Sequence, residues 1–353
     1  MPTPAETIEI EGREIRVTNP DKTYFPRPGV TKLEVVRYYS EIAGAALVGC
    51  RERPEILHRY PDGVDGESFY QKRLPRGAPE WVQTTTITFP SGRSAEEVVL
   101  ADAAHLVWTA TLGCLEVNPW PVRRTDVDHP DELRIDLDPT PDVPFANVRL
   151  VALEAAEVLR EHGLEGFAKT SGKRGMHVNV RIEPRWTFTA VRRAALAFAR
   201  EVERRMPAVA TTAWWKEERE GVFLDYNQNA RDRTVASAYS VRPVADARVS
   251  TPVSWDEVPD VDPAAFTIRT VPERLHTAGD PGAGIDDAVG SLEPLLELAA
   301  RDAAGGLSDA PWPPHFPKGD DEPVRASPSR RRWAKWAEQH PGERPPGGGQ
   351  RRS

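Results

Sequence analysis

The chain has 353 residues, of which 39% are apolar and 28% charged, and its formal net charge is −8. This composition favours a soluble globular protein, and two cysteines, Cys50 and Cys114, exclude both a disulfide framework and a cysteine zinc cage. No apolar run approaches the roughly 18 residues of a membrane span, and the N-terminus lacks the features of a signal peptide, so we expect a cytoplasmic protein with no membrane partner. The negative charge disfavours indiscriminate coating of nucleic acid but permits a local basic groove.

The first part of the chain predicts a hairpin, a turn and a helix. Residues 8–17 alternate around a turn at residues 11–12, and residues 19–22 form a second turn that should present its side chains to solvent. Residues 31–34 have the spacing of a capping box. The apolar spacing that follows predicts one helix over residues 32–48.

Residues 55–120 predict short strands and loops. Residues 84–89 are rich in threonine and favour a strand. Residues 101–117 predict a helix that leads into a short strand. Phe69 and Tyr70 stand beside a lysine, and from the sequence pattern alone they are ordinary core residues.

An acidic strand at residues 132–139 is the centre of the functional prediction. Its aliphatic residues alternate with polar ones, so Asp136 and Asp138 should emerge on one face, roughly 6 to 7 Å apart, and Pro139 should end the strand. Adjacent carboxylates repel each other unless a cation lies between them, and their oxygens suit Mg²⁺ or Mn²⁺. The alternative is a solvated edge strand with an acidic face.

The rest of the chain alternates helices and strands, which predicts a mixed α/β or α+β fold in layers. The pattern predicts, in order, a helix, a strand, a tight basic turn, a strand, a helix and two strands, at residues 147–162, 167–170, 171–175, 176–182, 190–206, 221–226 and 234–241. From residue 303 the composition shifts to proline, glycine and charge. We therefore expect one domain over residues 1–302 and a flexible basic tail over residues 303–353.

That tail leaves a second interpretation open. Residues 330–339 have the composition of a short basic helix that carries Trp333 and Trp336. A contact with nucleic acid or with a partner is therefore the alternative to a solvated tail.

The basic turn and a third acid add to the acidic strand. Gly172 and Gly175 let backbone amides converge on an anion, and Lys173 adds positive charge, although a glycine-rich turn is often only a turn. His177 begins the next strand and could donate to a phosphate oxygen, or it could be structural. Asp225 lies in a hydrophobic strand, where an isolated aspartate would usually cap the strand end. Three acids with a phosphate-binding turn fit metal-dependent nucleotidyl transfer.

The order of these motifs resembles that of the archaeo-eukaryotic primase superfamily and, more closely, of the polymerase domain of bacterial ligase D. The resemblance spans roughly residues 15–300. It rests on the following segments in chain order: Asn19-Pro20-Asp21-Lys22, Arg59-Tyr60-Pro61-Asp62-Gly63, Phe69-Tyr70-Gln71-Lys72, Asp136-Leu137-Asp138, Ser171-Gly172 with Gly175 and His177, Leu224-Asp225-Tyr226 with Gln228-Asn229, and Ala238-Tyr239-Ser240-Val241-Arg242.

The resemblance implies an α+β primase-polymerase fold, in which an RRM-like catalytic sheet packs against an N-terminal α/β portion. It implies a template-dependent DNA polymerase that uses two divalent cations, Mn²⁺ or Mg²⁺, and takes NTPs or dNTPs with a preference for ribonucleotides. Members of this family fill gaps and extend ends in non-homologous end joining. The implied partners are gapped DNA or double-strand-break ends, Ku and a ligase.

The resemblance also assigns roles to residues at matching positions. The metal ligands and catalytic residues would be Asp136, Asp138 and Asp225. The nucleotide would be bound by Ser171, Lys173, Gly175, His177, Gln228, Arg242 and His58. A DNA 5′-phosphate would be bound by Asn19, Lys22 and Lys32, and the template bases would stack on Phe69 and Tyr70.

The sequence departs from the family pattern at two positions. Asn118 stands where the family usually has histidine, and an amide neither titrates nor ligates a metal as imidazole does. His58 stands where a lysine often contacts the nucleotide. We expect a stand-alone polymerase module of the bacterial cytoplasm and nucleoid, with a separate ATP-dependent ligase. The alternatives are a metal-dependent nuclease and a non-catalytic module that binds DNA ends.

Overall fold

The computed structural model of the chain describes residues 4–89, 91–313 and 316. These residues have a mixed α/β fold, as the sequence predicts. An N-terminal α/β portion packs against a five-stranded sheet, whose other face is covered by helices. Among the described residues, no helix is both long enough and apolar enough to cross a membrane.

The N-terminal portion begins with the predicted hairpin. Its first elements are β1 (Ala5–Ile10), β2 (Arg13–Thr18), β3 (Thr23–Phe25), β4 (Val30–Thr31), α1 (Lys32–Glu41) and α2 (Ala43–Cys50). Glu11 and Gly12 have φ angles of 50° and 75°, the left-handed conformation that a two-residue hairpin turn requires. The capping box of α1 is also confirmed, because Thr31 Oγ1 accepts from Glu34 N while Glu34 accepts from Thr31 N.

The single helix predicted over residues 32–48 is wrong in one respect, because it is broken at Ile42. Ile42 has φ −96° and ψ 8°, outside the helical region, and α2 begins at the next residue. Both helices nevertheless bury their apolar faces in the same core, to which α1 contributes Tyr39 and α2 contributes Leu47.

The rest of this portion consists of short elements, as predicted. They are β5 (Pro54–Glu55), β6 (Leu57–Arg59), β7 (Phe69–Gln71), β8 (Thr84–Thr88), β9 (Ser94–Val99), α3 (Ala103–Thr111) and β10 (Cys114–Glu116). They form two antiparallel sheets of three strands each, ordered β5-β9-β8 and β10-β6-β7. The second of these sheets carries residues 58, 69, 70 and 116, which recur below.

The five-stranded sheet, called the central sheet here, is built around the acidic strand. Its elements and the helices between them are β11 (Glu132–Pro139), α4 (Phe145–Glu161), β12 (Phe167–Thr170), β13 (Met176–Arg181), α5 (Phe188–Arg205), β14 (Ala210–Thr211) and β15 (Val222–Leu224). The strand order β12-β13-β11-β15-β14 puts the acidic strand in the middle. Leu133, Ile135 and Leu137 pack on the helix side, in one core with α4 and α5.

The opposite face of the central sheet is polar and lies under the N-terminal portion. Arg181 and Arg134 both pair with Glu132, which is 1% exposed. Arg53, from the N-terminal portion, donates to Asp131 Oδ1 at 2.6 Å. The pairs of Glu132 lie within the sheet, whereas the Arg53–Asp131 pair joins the sheet to the N-terminal portion.

Two strand predictions are corrected. Asp225 lies just after β15 rather than inside a strand, and it caps the 3₁₀ helix Tyr226–Asn229. Residues 234–241 form no strand, because Tyr239 has φ 63°, a left-handed conformation that interrupts extended backbone.

Two further helices follow, α6 (Val271–Ala278) and α7 (Glu293–Ala304). The boundary proposed between residues 302 and 303 falls inside α7, and Ala310 is buried in the core of the central sheet. The rest of the predicted tail, including Trp333 and Trp336, lies outside the described residues.

Candidate functional site

The central sheet brings Asp136 and Asp225 together. The two residues are joined through the main chain, where Asp225 N donates to Asp136 O at 2.9 Å. Gln228 Nε2 lies 3.2 Å from both Asp136 Oδ2 and Asp225 Oδ2, so one amide group bridges the two carboxylates. Asp138, two residues further along β11, is exposed on the same face as Asp136. The three acids predicted from separate motifs therefore form one cluster.

The electrostatics of this cluster are those of crowded negative charge. Burial raises the pKa of Asp136 to about 7, and repulsion from Asp225 and Asp138 adds to that rise. Burial also raises the pKa of Asp225, against the opposing effect of Arg219. A cation would relieve this repulsion, and carboxylate oxygens are suitable ligands for Mg²⁺ or Mn²⁺. In the part of the chain that the structure describes, no three His, Cys, Asp or Glu side chains are already placed to hold one ion.

His177 faces the acids from the neighbouring strand. It is the cross-strand partner of Asp136, and its Nε2 lies 3.5 Å from Asp136 Oδ1. Its Nδ1 lies 2.6 Å from Lys169 Nζ on β12. Burial lowers the pKa of His177 well below its ordinary value, and the nearby Lys169 lowers it further. The ring is therefore neutral at pH 7.

Lys169 is a residue of the candidate site that the sequence analysis missed. Its Nζ donates to Ala236 O at 2.8 Å and to Ser250 Oγ at 2.7 Å, and the contact with His177 Nδ1 is its third. Because Ser250 Oγ itself donates to Thr170 O, it can only accept from the lysine. A lysine that donates to Nδ1 leaves the ring proton on Nε2, the atom that points toward Asp136. Alternation along β12 was the available signal, since it puts Lys169 level with His177.

The basic turn lies against β11, and its glycines are required by close approach. A side chain at Gly175 would place a Cβ 2.1 Å from Leu137 O, and one at Gly172 would place it 2.5 Å from Arg242 Cγ. The amides of Lys173 and Gly175 both donate to Ser171 Oγ. These two amides therefore converge on the serine hydroxyl, and an anion would have to compete with that hydroxyl for them.

Arg242 supplies positive charge next to this turn. Its Nε lies 2.8 Å from Glu116 Oε1, but the pair lacks the alignment of a hydrogen bond. Its buried Nη1 has no hydrogen-bond partner within the described residues. Burial lowers the pKa of Lys173, and repulsion from Arg242 contributes. These two cationic side chains are thus close to each other, and an anion between them would offset their repulsion.

Both ring nitrogens of His58 have partners within the protein. Its Nδ1 lies 2.8 Å from Glu116 Oε2, and its Nε2 lies 3.1 Å from Ser68 Oγ. Its ring stacks on Tyr70, with the centroids 4.0 Å apart. Both ring nitrogens are thus occupied, and the geometry favours support of Tyr70.

Phe69 and Tyr70 are surface residues. Their exposed fractions are 46% and 64%, which excludes the alternative that they pack in the core. The Arg59 guanidinium lies 5.3 Å from the centre of the Phe69 ring. The two rings therefore form an exposed aromatic surface beside a positive charge.

Asn19, Lys22 and Lys32 form a second basic site in the N-terminal portion. Asn19 and Lys22 line one open cavity, and Lys32 N donates to Lys22 O at 2.8 Å. Burial lowers the pKa of Lys32 to about 8, and repulsion from Lys22 contributes. Lys22 Nζ donates to Pro61 O at 2.8 Å and also contacts Asp62. The lysines are thus near neighbours, as binding of one phosphate by both would require.

Asn118 lies after β10 and is 8% exposed. Its backbone N donates to Glu55 Oε1 at 2.5 Å, while its side-chain Nδ2 has no partner within the described residues. Among the described residues, Asn118 forms hydrogen bonds with Glu55 and Ile56 and none with the three aspartates.

Comparisons with known proteins found a matching family model and related chains. A family model described as LigD, primase-polymerase domain, matches residues 31–282. The multifunctional non-homologous end joining protein LigD of Mycolicibacterium smegmatis is 32% identical over 308 residues, covering 86% of this chain. The LigD protein of Pseudomonas aeruginosa is 33% identical over 270 residues, covering 75% of this chain. This chain spans only 40% and 32% of the lengths of these two relatives.

A solved structure extends the agreement to the fold. The polymerase domain from Mycobacterium tuberculosis ligase D, in complex with DNA, matches with a TM-score of 0.72 and 30% identity. The match covers 77% of this chain and 97% of that chain. It confirms the predicted fold class and the resemblance on which the residue assignments rest.

Proposed function

The chain belongs to the LigD primase-polymerase family, and from this premise we propose that it is a DNA-directed nucleotidyltransferase that extends primer 3′ ends on a template. The observation that carries the proposal is the cluster of Asp136, Asp138 and Asp225 beside the basic turn of Lys173, which lies against β11 and next to Arg242. Transfer of a nucleotide needs both kinds of charge, because the reacting phosphates are anionic and their counter-cations need carboxylate ligands.

Asp136, Asp138 and Asp225 would hold two divalent cations, Mn²⁺ or Mg²⁺. The donor set fits, since all the ligands are carboxylate oxygens, and a cation would offset the burial and the repulsion that together raise the pKa of Asp136. Bound there, the cations supply Lewis acidity to the attacking hydroxyl and charge neutralisation to the leaving phosphates. Gln228 holds the carboxylates of Asp136 and Asp225 toward each other.

The nucleotide would lie against the basic turn. Lys173 and Arg242 bind its phosphates, and the free hydrogen-bonding capacity of Arg242 Nη1 supports this role. His177 donates from Nε2, since Lys169 occupies Nδ1. Ser171 and Gly175 shape the turn and bring it against β11. The primer 3′-hydroxyl then attacks the α-phosphate in line, and pyrophosphate leaves.

DNA would be bound on both sides of the reacting centre. Phe69 and Tyr70 offer exposed rings for template bases, and such stacking is worth about 1 to 3 kcal/mol per base. Asn19, Lys22 and Lys32 would bind the 5′-phosphate on the far side of a gap. The similarity to a polymerase domain in complex with DNA supports this arrangement.

Gap filling and end extension in non-homologous end joining are the proposed setting, since the relatives carry that process in their names. Because this chain spans well under two thirds of those relatives, an ATP-dependent ligase and Ku are proposed as partners from outside the matched region. A DNA substrate would place the protein at the bacterial nucleoid.

Primer extension with labelled nucleotide tests the proposal. We expect the primer on a gapped duplex to lengthen with Mn²⁺, to lengthen more with an rNTP than with a dNTP, and to do so more efficiently when the gap carries a 5′-phosphate. The double variant Asp136→Ala/Asp138→Ala should lose extension by at least about 10³-fold, because the carboxylate ligands are removed.

Three outcomes contradict parts of this proposal. A shortened primer would indicate a nuclease. Binding to gapped DNA without extension, under any metal or nucleotide, would indicate a non-catalytic end-binding module. Extension that survives in the double variant would exclude the proposed site.

A further inference from the structure

The C-terminal strap, residues 308–313, lies across α5 on the helix side of the central sheet. Arg200 Nη2 donates to Ser308 O at 2.6 Å, and Ala310 is buried in the core that α4 and α5 share with the sheet. The family model ends at residue 282, so the strap lies beyond the residues that this model matches. It is part of the fold nonetheless.

Arg192 on α5 anchors the strap. This arginine is 1% exposed, and its guanidinium donates to Asp309 Oδ1 at 2.9 Å and to Ala310 O at 2.8 Å. The Trp312 ring lies over the guanidinium at 4.0 Å. On the side of the candidate site, Arg192 Nε donates to Asn227 Oδ1 at 2.6 Å.

Asn227 connects the strap to Asp225. Its Nδ2 donates to Pro311 O at 3.0 Å, and its backbone N donates to Asp225 Oδ1 at 3.0 Å. Asn227 is 2% exposed, so water does not readily replace these partners. One buried residue thus bonds the strap on one side and the carboxylate of Asp225 on the other.

The charge balance of the anchor depends on the strap. Burial alone would raise the pKa of Asp309, but the Arg192 guanidinium holds it below its ordinary value, so the carboxylate stays ionised. Asp309 Oδ2 also accepts from Trp312 Nε1 at 2.9 Å. Without Asp309, the buried guanidinium would lose this ion pair.

We propose that the strap is a positioning element for the candidate metal site, acting through Arg192 and Asn227 to fix the carboxylate of Asp225. The 3₁₀ helix Tyr226–Asn229 has only four residues, and the Asn227 side chain ties it to α5 and to the strap. Release of the strap should free Asn227 and let Asp225 Oδ1 rotate away from its bonded position. This inference rests on the proposed role of Asp225 as a metal ligand.

The test uses full-length protein and two strap variants, Asp309→Asn and Trp312→Ala. Asp309→Asn is the milder change, since it keeps the shape of the side chain. Leu298→Ala is the matched control, because Leu298 on α7 belongs to the same core but makes none of the hydrogen bonds of Asn227. All variants are first compared by thermal unfolding, so that site effects are read at known stability.

Two measurements are made without DNA or nucleotide. Loss of one hydrogen bond corresponds to about a twofold to tenfold change in an equilibrium constant. We therefore expect the dissociation constant for Mn²⁺ to rise about fivefold in both strap variants and to stay within about twofold of wild type in Leu298→Ala. Amide hydrogen exchange at Asn227 should accelerate about fivefold in the strap variants alone.

The outcomes separate this inference from the proposed function. Wild-type protein that binds no Mn²⁺ would overturn the metal site. Amide exchange at Asn227 would then be the measurement that tests the positioning role of the strap. Unchanged exchange in both strap variants would overturn the positioning role. Equal rises in the Mn²⁺ dissociation constant for the strap variants and Leu298→Ala would also overturn it, because general loss of packing would then explain the effect.

Discussion

At the scale of single residues, the contact between Lys169 and His177 explains how a buried histidine can hold one orientation beside carboxylates. The lysine Nζ makes three contacts, so it can donate to all three partners when it is protonated. Burial lowers its pKa well below the ordinary value, with Arg242 adding to that effect. Lys169 thereby fixes the His177 ring through Nδ1, the nitrogen on the side away from Asp136.

Replacement of Lys169 by methionine should impair extension more than it impairs DNA binding. The variant leaves His177 Nδ1 without its donor, so the ring can flip or change tautomer, and we expect a loss of about tenfold or more in kcat with little change in KM for primer-template. Steady-state extension assays measure kcat and KM separately. The exposed Lys216→Met serves as control, and a KM effect without a kcat effect would contradict the assignment.

Glu97 should make stability depend on pH. It is fully buried, accepts from Trp120 Nε1 at 2.8 Å, and burial raises its pKa to about 8 from an ordinary 4.5. The unfolded chain therefore ionises first, and the stability from protonated Glu97 is present below pH 4.5 and is lost as pH rises to about 8. The glutamine of Glu97→Gln does not titrate. The free energy of unfolding of this variant, relative to that of wild type, should therefore be about 2 to 4 kcal/mol higher at pH 9 than at pH 5.

Denaturant unfolding at both pH values measures this gain. Glu96→Gln, on the exposed neighbour in the same strand, is the matched control. An equal gain for both variants, or none for Glu97→Gln, would contradict the buried-acid explanation.

At the scale of elements, the turn between β12 and β13 depends on its close approach to β11. Gly175→Ala would place its Cβ 2.1 Å from Leu137 O, which is backbone and cannot move aside. We expect it to lower the free energy of unfolding by about 3 kcal/mol or more. Gly44→Ala is the control, since a Cβ there meets nothing within 4 Å and alanine favours the helix. Similar melting temperatures for the two variants would show that the turn can shift.

Regular alternation made the central sheet predictable, and local exceptions did not follow from it. The acidic strand, β12 and β13 were confirmed, because one apolar face and one polar face give a clear period of two. Asp225 was placed inside a strand because the apolar run before it continues the pattern, whereas its side chain caps a 3₁₀ helix. The break at Ile42 and the left-handed Tyr239 carry no sequence signal, since neither is glycine or proline.

For the same reason, the candidate site could be predicted only in part from the sequence. Residues with a motif were brought together, namely the three aspartates and His177. Lys169, Glu116 and Asn227 belong to no such motif, and their roles depend on contacts between distant segments. Such contacts are fixed by tertiary packing rather than by local spacing.

At the scale of the whole molecule, the proposed 5′-phosphate site should respond to pH separately from the three aspartates. Burial lowers the pKa of Lys32 to about 8, and Lys22 contributes to this, so Lys32 loses its charge as pH rises through that value. The advantage of a 5′-phosphate over a 5′-hydroxyl on gapped DNA should therefore fall several-fold between pH 7 and pH 9. Lys32→Arg should flatten this fall, since arginine stays charged.

Fluorescence anisotropy measures the affinity for gapped duplexes that carry either a 5′-phosphate or a 5′-hydroxyl, and the ratio of the two affinities is the advantage. Blunt duplex DNA provides the control, because it offers no phosphate across a gap. A pH dependence that is the same for wild type and Lys32→Arg would show that another group is responsible.

The ion pairs between the polar face of the central sheet and the N-terminal portion also limit how the protein can admit its substrates. Arg53, Asp131 and Glu132 are each at most 8% exposed, and separating Arg53 from the two carboxylates would leave unpaired charges at a cost of about 3 to 5 kcal/mol. A clamshell opening between the two halves is therefore disfavoured. Duplex and nucleotide should enter from the rim into a nearly rigid cleft, so that bound and free forms superpose closely along the sheet.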